Sequence, residues 1–177
     1  MISARRHPEL LMLAVFVLHL ACGRVPVEGE DANPPVRPEA GNSATRSDLF
    51  YTLEWSSHNV TPTLKRGSSR SVEVLVKNKG DQAWPDPKSA DPKGDGSYAI
   101  RLGYRWLGPD GLPITQYEAR ADLASAVPAG GTARFSMDVI APAEPGRYTL
   151  QFDLVEELVV WFEAKGVPKL LVPVTIE

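Results

Sequence analysis

From Tyr148 to Leu154 apolar and polar side chains alternate without a break, Tyr148, Leu150, Phe152 and Leu154 against Thr149, Gln151 and Asp153. Period two with that contrast predicts a strand with one face on a core and the other in water. The same pattern recurs along the chain. Leu49 to Ser56 predicts a strand that shows Leu49, Tyr51, Leu53 and Trp55 on one side. Val72, Val74 and Val76 alternate with Glu73 and Lys77, and Ala133, Phe135, Met137 and Val139 with Arg134, Ser136 and Asp138. Between Tyr98 and Leu107, Ile100, Leu102, Tyr104 and Trp106 oppose Arg101, Gly103 and Arg105. A last strand over Lys169 to Ile176 gathers Leu170, Val172, Val174 and Ile176. Pro173 points the other way and lacks an N–H, so this strand lies at an edge or pairs on one side only at that point.

Turn signals separate these runs: Asn78-Lys79-Gly80-Asp81, Gly108-Pro109-Asp110-Gly111, Pro128-Ala129-Gly130-Gly131 and Pro145-Gly146. Ile114 to Leu123 alternates poorly and leaves room for two short strands. Gln82 to Ser97 carries three prolines and two glycines, which rules out a core strand there. No long helical period and no repeat is present. The prediction is an all-β fold, an antiparallel two-sheet Ig-like β-sandwich of about seven strands. A single cysteine means that no disulfide crosses it, so the core stands on hydrophobic burial.

The start of the chain reads differently. Arg5, Arg6 and His7 precede an apolar run from Leu10 to Leu18, and small residues follow at Ala21-Cys22-Gly23. The run is too short to span a bilayer, so residues 1–22 read as a signal peptide. Leu18-His19-Leu20-Ala21-Cys22-Gly23 resembles the bacterial lipoprotein signal, in which the cysteine becomes the lipid-bearing N-terminus. His19 stands where that signal usually has an apolar residue. The resemblance implies lipidation of Cys22 and a membrane anchor; plain secretion is the alternative. Residues 23–47, with Pro-Pro and repeated Pro and Glu, read as a disordered linker, and residues 48–177 as the sandwich domain.

Charge narrows the partners. Lys and Arg number 19 against 22 Asp and Glu, a formal net charge of -3, and the basic residues are scattered. No nucleic-acid footprint results.

Candidate chemistry is thin. His58 beside Ser56 and Ser57 suggests acyl transfer, but no nucleophile-elbow pattern accompanies it. Asp86, Asp91 and Asp95 with Gly94 and Gly96 suggest a calcium loop, but the EF-hand pattern is missing and Lys88 and Lys93 oppose it. Glu144, Asp153, Glu156, Glu157 and Glu163 suggest a glycosidase pair, yet nothing sets two of them across a cleft. No catalytic residue, metal site or cofactor is assigned.

Two tryptophans stay open. Trp84, held before Pro85 in the irregular segment, is either a plug over one end of the sandwich or an exposed platform. Val160, Trp161 and Phe162 close the run EELVVWF, where alternation breaks. They either close the core or, with Trp84, form an apolar binding surface of the kind that stacks on sugar rings or anchors proteins.

The order of motifs carries a further resemblance: Asn78-Lys79-Gly80 then Trp84-Pro85, Leu102-Gly103-Tyr104-Arg105-Trp106, Val127-Pro128-Ala129-Gly130, Ala141-Pro142, Pro145-Gly146-Arg147-Tyr148-Thr149-Leu150, and Val155-Glu156-Glu157 before Trp161-Phe162. It is similar to the small Ig-like domains appended to bacterial glycosyltransferases, methyltransferases and polysaccharide-export proteins. It also resembles the tryptophan-rich Ig-like domain of autophagy receptors. The likeness runs from about Val72 to Val174 and implies a binding or spacer module without catalytic residues. The leading expectation is a non-catalytic exported envelope module that binds a partner protein or a cell-envelope polysaccharide. It would be anchored in the outer membrane and face the periplasm or the surface, or else be secreted or periplasmic. The alternatives are a purely structural or assembly lipoprotein and a small hydrolase with an unrecognised site.

Overall fold

The structure, a computed structural model, describes residues 46–91, 94–114 and 119–177. The predicted signal peptide, Cys22 and the linker up to residue 45 lie outside the described residues. Nine strands occur among the described residues: β1 Leu53–His58, β2 Thr63–Leu64, β3 Ser69–Asn78, β4 Ile100–Leu107, β5 Arg120–Asp122, β6 Thr132–Ile140, β7 Gly146–Glu156, β8 Val160–Trp161 and β9 Leu170–Ile176. They form two sheets, one in the order β1-β3-β6 and one in the order β2-β9-β7-β4-β5 with β8 on the end of β7. All pairs are antiparallel except the short pair of β2 with β9. The fold is an all-β Ig-like sandwich.

The core lies where the alternating positions of the two sheets meet. Val72, Val74 and Val76 of β3 and Phe135 and Val139 of β6 oppose Leu102, Tyr104 and Trp106 of β4 and Leu150, Phe152 and Leu154 of β7. Register holds these side chains in rows: Leu102 opposite Leu154, Tyr104 opposite Phe152, Trp106 opposite Leu150, and Leu150 opposite Val172 of β9. Pro173 opposes Thr149 of β7, while β2 reaches only Thr175 and Ile176 of β9. The missing N–H therefore faces no strand partner.

Two expectations need correction. Asp48–Tyr51 is a 3-10 turn, and only Leu53–His58 is a strand. Leu49 is 62% exposed, while Phe50 and Tyr51 are both buried. Two successive inward residues cannot lie on one strand, and a turn delivers both rings to the end of the core. Secondly, Gln151 and Asp153 do not face water. Both are buried on the outer side of β7. β7 is central, so the outward side chains of β4 and β9 flank it, and the 3-10 turn Phe162–Lys165 packs beside it.

The described residues of the irregular segment are held by their own polar side chains. Asp86 caps the short helix α1, Pro87–Ala90, by accepting from the backbone N–H groups of Lys88 and Ser89. Asp91 accepts from the N–H groups of Asp95 and Gly96, at 2.9 and 2.6 Å. These carboxylates accept from backbone donors within the segment, which gives the acidic spacing a local structural role. Asn78 at the end of β3 is fully buried; its Nδ2 donates to the carbonyls of Gln82 and Val127, and its Oδ1 accepts from Gly80 N. Gly80 is required there, because a Cβ would come within 2.7 Å of the Leu49 carbonyl.

Candidate functional site

The side chains singled out in the sequence separate into two groups. Trp84 is 0% exposed. Its backbone pairs with Val127, and its indole Nε1 donates to the Phe50 carbonyl at 3.2 Å. Phe162 is also fully buried, edge-on to Trp84 at 6.0 Å and to Tyr51 at 5.1 Å. With Phe50, these rings close one end of the sandwich. As members of an exposed binding surface Trp84 and Phe162 are therefore corrected: both are core. Trp161 and Val160 remain half-buried on β8.

The same end is sealed by a buried polar contact. Glu156, the last residue of β7, accepts from the Tyr51 hydroxyl at 2.7 Å and from Arg46 Nε at 3.2 Å. Burial, and then the carboxylate beside it, push the Tyr51 phenol above its ordinary value. Arg46 also stands 4.3 Å above the Phe50 ring, and the Ser47 hydroxyl donates to Asp81. Arg46 and Ser47, assigned to the linker by sequence, are thus attached to the domain.

On the outer face of the larger sheet the antiparallel register gathers a second set. Trp161 pairs with Val155, Val155 with Arg101, and Arg101 with Asp122. Arg101 Nε donates to Asp122 at 2.5 Å, and its Nη1 lies 3.7 Å from Glu157. Arg120 Nε donates to the same Glu157 carboxylate at 3.1 Å, and its guanidinium stands 4.8 Å from the centre of the Trp161 ring. The result is a belt of ion pairs with one indole under an arginine. Each contact joins residues distant in sequence, so no motif advertised it.

Beside the belt lies Asp153, opposite Gly103 of β4. It is 0% exposed; Oδ2 accepts weakly from Glu163 N at 3.4 Å, and Oδ1 has no hydrogen-bond partner. Burial is the main cause that pushes this carboxyl up to about 7; the Glu163 carboxylate adds to it, and Lys169 opposes it. Glu163 and Lys169 form an ion pair with each other. A buried carboxyl of this kind can hold a proton. Among the described residues, no group of three or more His, Cys, Asp or Glu could hold a metal ion. His58 ends β1 at the surface, and no helix among the described residues is long and apolar enough to cross a membrane.

No protein-family model and no curated protein matches the chain. Among solved structures, a CARDB domain from Pyrococcus furiosus, in complex with di-metal ions, is 13% identical over 71% of this chain and 86% of its own, with a TM-score of 0.42. The C-terminal domain of wzt is 9% identical over 75% and 86%, with a TM-score of 0.43. A β-glucosidase from Listeria innocua in complex with isofagomine is 18% identical over 71% of this chain, with a TM-score of 0.41, and the match spans only 16% of the enzyme. At such TM-scores the assignment of a sandwich rests on the strand order and packing above.

Proposed function

We propose that this chain is a non-catalytic module of the cell envelope, exported and held by a lipid on Cys22, that binds a partner protein across the outer face of its larger sheet. The observation that carries the reading is the half-buried Trp161 under the Arg120 guanidinium, inside the belt formed by Arg101, Asp122 and Glu157. Trp and Arg held rigid at a surface are the side chains on which protein interfaces concentrate their energy. Leu171, exposed on the same face beside Gln151, adds apolar area. An envelope polysaccharide is the second reading. It is favoured by the paired guanidinium and carboxylate groups, which suit hydroxyl recognition, but the arginine on the ring leaves less of the indole for stacking on a sugar.

The test is site-specific photo-crosslinking in intact envelopes, with the photoreactive residue at Leu171, exposed on that outer face, and, as control, at Ser136 on the other sheet. A discrete adduct from position 171 that Arg120→Ala removes supports the protein reading. No adduct, together with saturable quenching of tryptophan fluorescence by purified envelope polysaccharide that Trp161→Ala abolishes, moves the assignment to the polysaccharide. Neither signal overturns both.

A further inference from the structure

The turn between β7 and β8 has a conformation that its sequence does not favour. Leu158 sits at φ +59°, in the left-handed region, where a branched aliphatic residue is strained and glycine or asparagine is not. Core burial does not offset that strain, because Leu158 is 77% exposed and Val159, next to it, is 48% exposed. The turn is nevertheless held firmly. Tyr98 N donates to the Glu157 carbonyl, Glu157 N to Ala99, and Val159 N to Glu156, each within 3.0 Å. Strain kept in place by its surroundings, with an aliphatic side chain turned outward, points to a use for the side chain itself.

We infer that Leu158 and Val159 form an apolar tip that inserts into the surface of the lipid bilayer to which the domain is tethered. This rests on the tethered reading above. Three observations select a lipid surface. The chain joins the domain at Arg46, which is bonded to Glu156, two residues before Leu158. Cys22 precedes Arg46 by only 24 residues, so an anchor at Cys22 would be attached to the domain at the end that carries the turn. Finally, the charges around the turn are paired: Arg46 with Glu156, Arg101 and Arg120 with Glu157, and Lys165 with Asp48. Bringing lipid against paired charges costs less than stripping water from lone ones.

The test uses the full-length chain, coupled through Cys22, its one cysteine, to a maleimide lipid in phosphatidylethanolamine–phosphatidylglycerol vesicles. The coupling makes the outcome independent of whether the cell lipidates Cys22; mass spectrometry of the Cys22 peptide from envelopes decides that separately. Brominated acyl chains quench an indole only at short range. The Trp161 signal, taken as the difference from Trp161→Phe, is expected to be quenched in brominated vesicles. That quenching is expected to be lost in Leu158→Asp/Val159→Asp and in the milder Leu158→Gly, which keeps the left-handed turn and guards against misfolding. Quenching that survives both variants, or none in the wild-type chain, overturns the inference. A dimer in sedimentation that Leu158→Gly dissociates, without quenching, assigns the tip to a second copy and equally overturns it.

Discussion

Trp84 and Trp161 stand in comparable surroundings in the sequence, each in a stretch where alternation fails, and the fold treats them in opposite ways. Trp84 is drawn into the end of the core, where its indole N–H finds the Phe50 carbonyl and its ring meets Phe162 edge-on. Trp161, one residue from that same Phe162, lies on the outer side of the sheet under Arg120. The difference is made by the backbone. Trp84 is bridged to Val127 and anchored through buried Asn78, whereas Trp161 is on a two-residue strand whose parity sends it outward and Phe162 inward. An irregular stretch thus carries an aromatic side chain inward when its backbone polar groups are satisfied there, and leaves it at the surface when a neighbour already fills the core.

The sharpest way to break this comparison is to remove the buried ring. Trp84→Ala leaves a cavity at a fully buried site and an unpaired Phe50 carbonyl, and is expected to cost about 5 kcal/mol, read as a shift in urea midpoint at unchanged slope. Next comes the outer face. The folded Asp153 carboxyl keeps its proton up to about pH 7, while the unfolded one releases it near 3.8. The folded state therefore binds more protons across that window, and stability falls as pH rises from about 4 to about 7. Asp153→Asn has no proton to lose. It should flatten that decline and exceed the wild type by up to about 4 kcal/mol above pH 7, with little difference at pH 4. A variant that is less stable at pH 8 would contradict the assignment of a buried, unsatisfied carboxyl.

Smaller effects sharpen the comparison. Arg46→Ala removes the cation from a buried carboxylate that still accepts from Tyr51, with an expected loss of about 3 kcal/mol by thermal unfolding. It also tests whether the domain begins before Asp48, since truncation to residue 48 should lose as much. Trp161→Ala should cost only about 1 kcal/mol, because a half-exposed ring on a short strand gives up little burial, and circular dichroism should show an intact sandwich. A large loss there would mean that Trp161, like Trp84, belongs to the core.

Much of this was legible in the chain. Strict alternation located β3, β4, β6, β7 and β9 and chose their inward residues, since period two admits one face at a time. Pro173 announced a position that pairs on one side only, and β2 leaves that position open. The 3-10 turn at Asp48–Tyr51 was misread because Leu49, Tyr51, Leu53 and Trp55 happen to keep strand parity. The belt of Arg101, Arg120, Asp122, Glu157 and Trp161 could not be read, because register between strands, not spacing along the chain, brings those residues together.

By itself the sequence determined that the chain builds a two-sheet β-sandwich without disulfides, and which side chains of its long strands turn inward, because alternation is a local property of the extended backbone. Only the tertiary structure decided what covers the other face of β7. Gln151 and Asp153 carry polar side chains that local physics sends to water, but a central strand has neighbours on both sides. Burial of its outer face depends on how far their side chains and the Phe162–Lys165 turn reach across it.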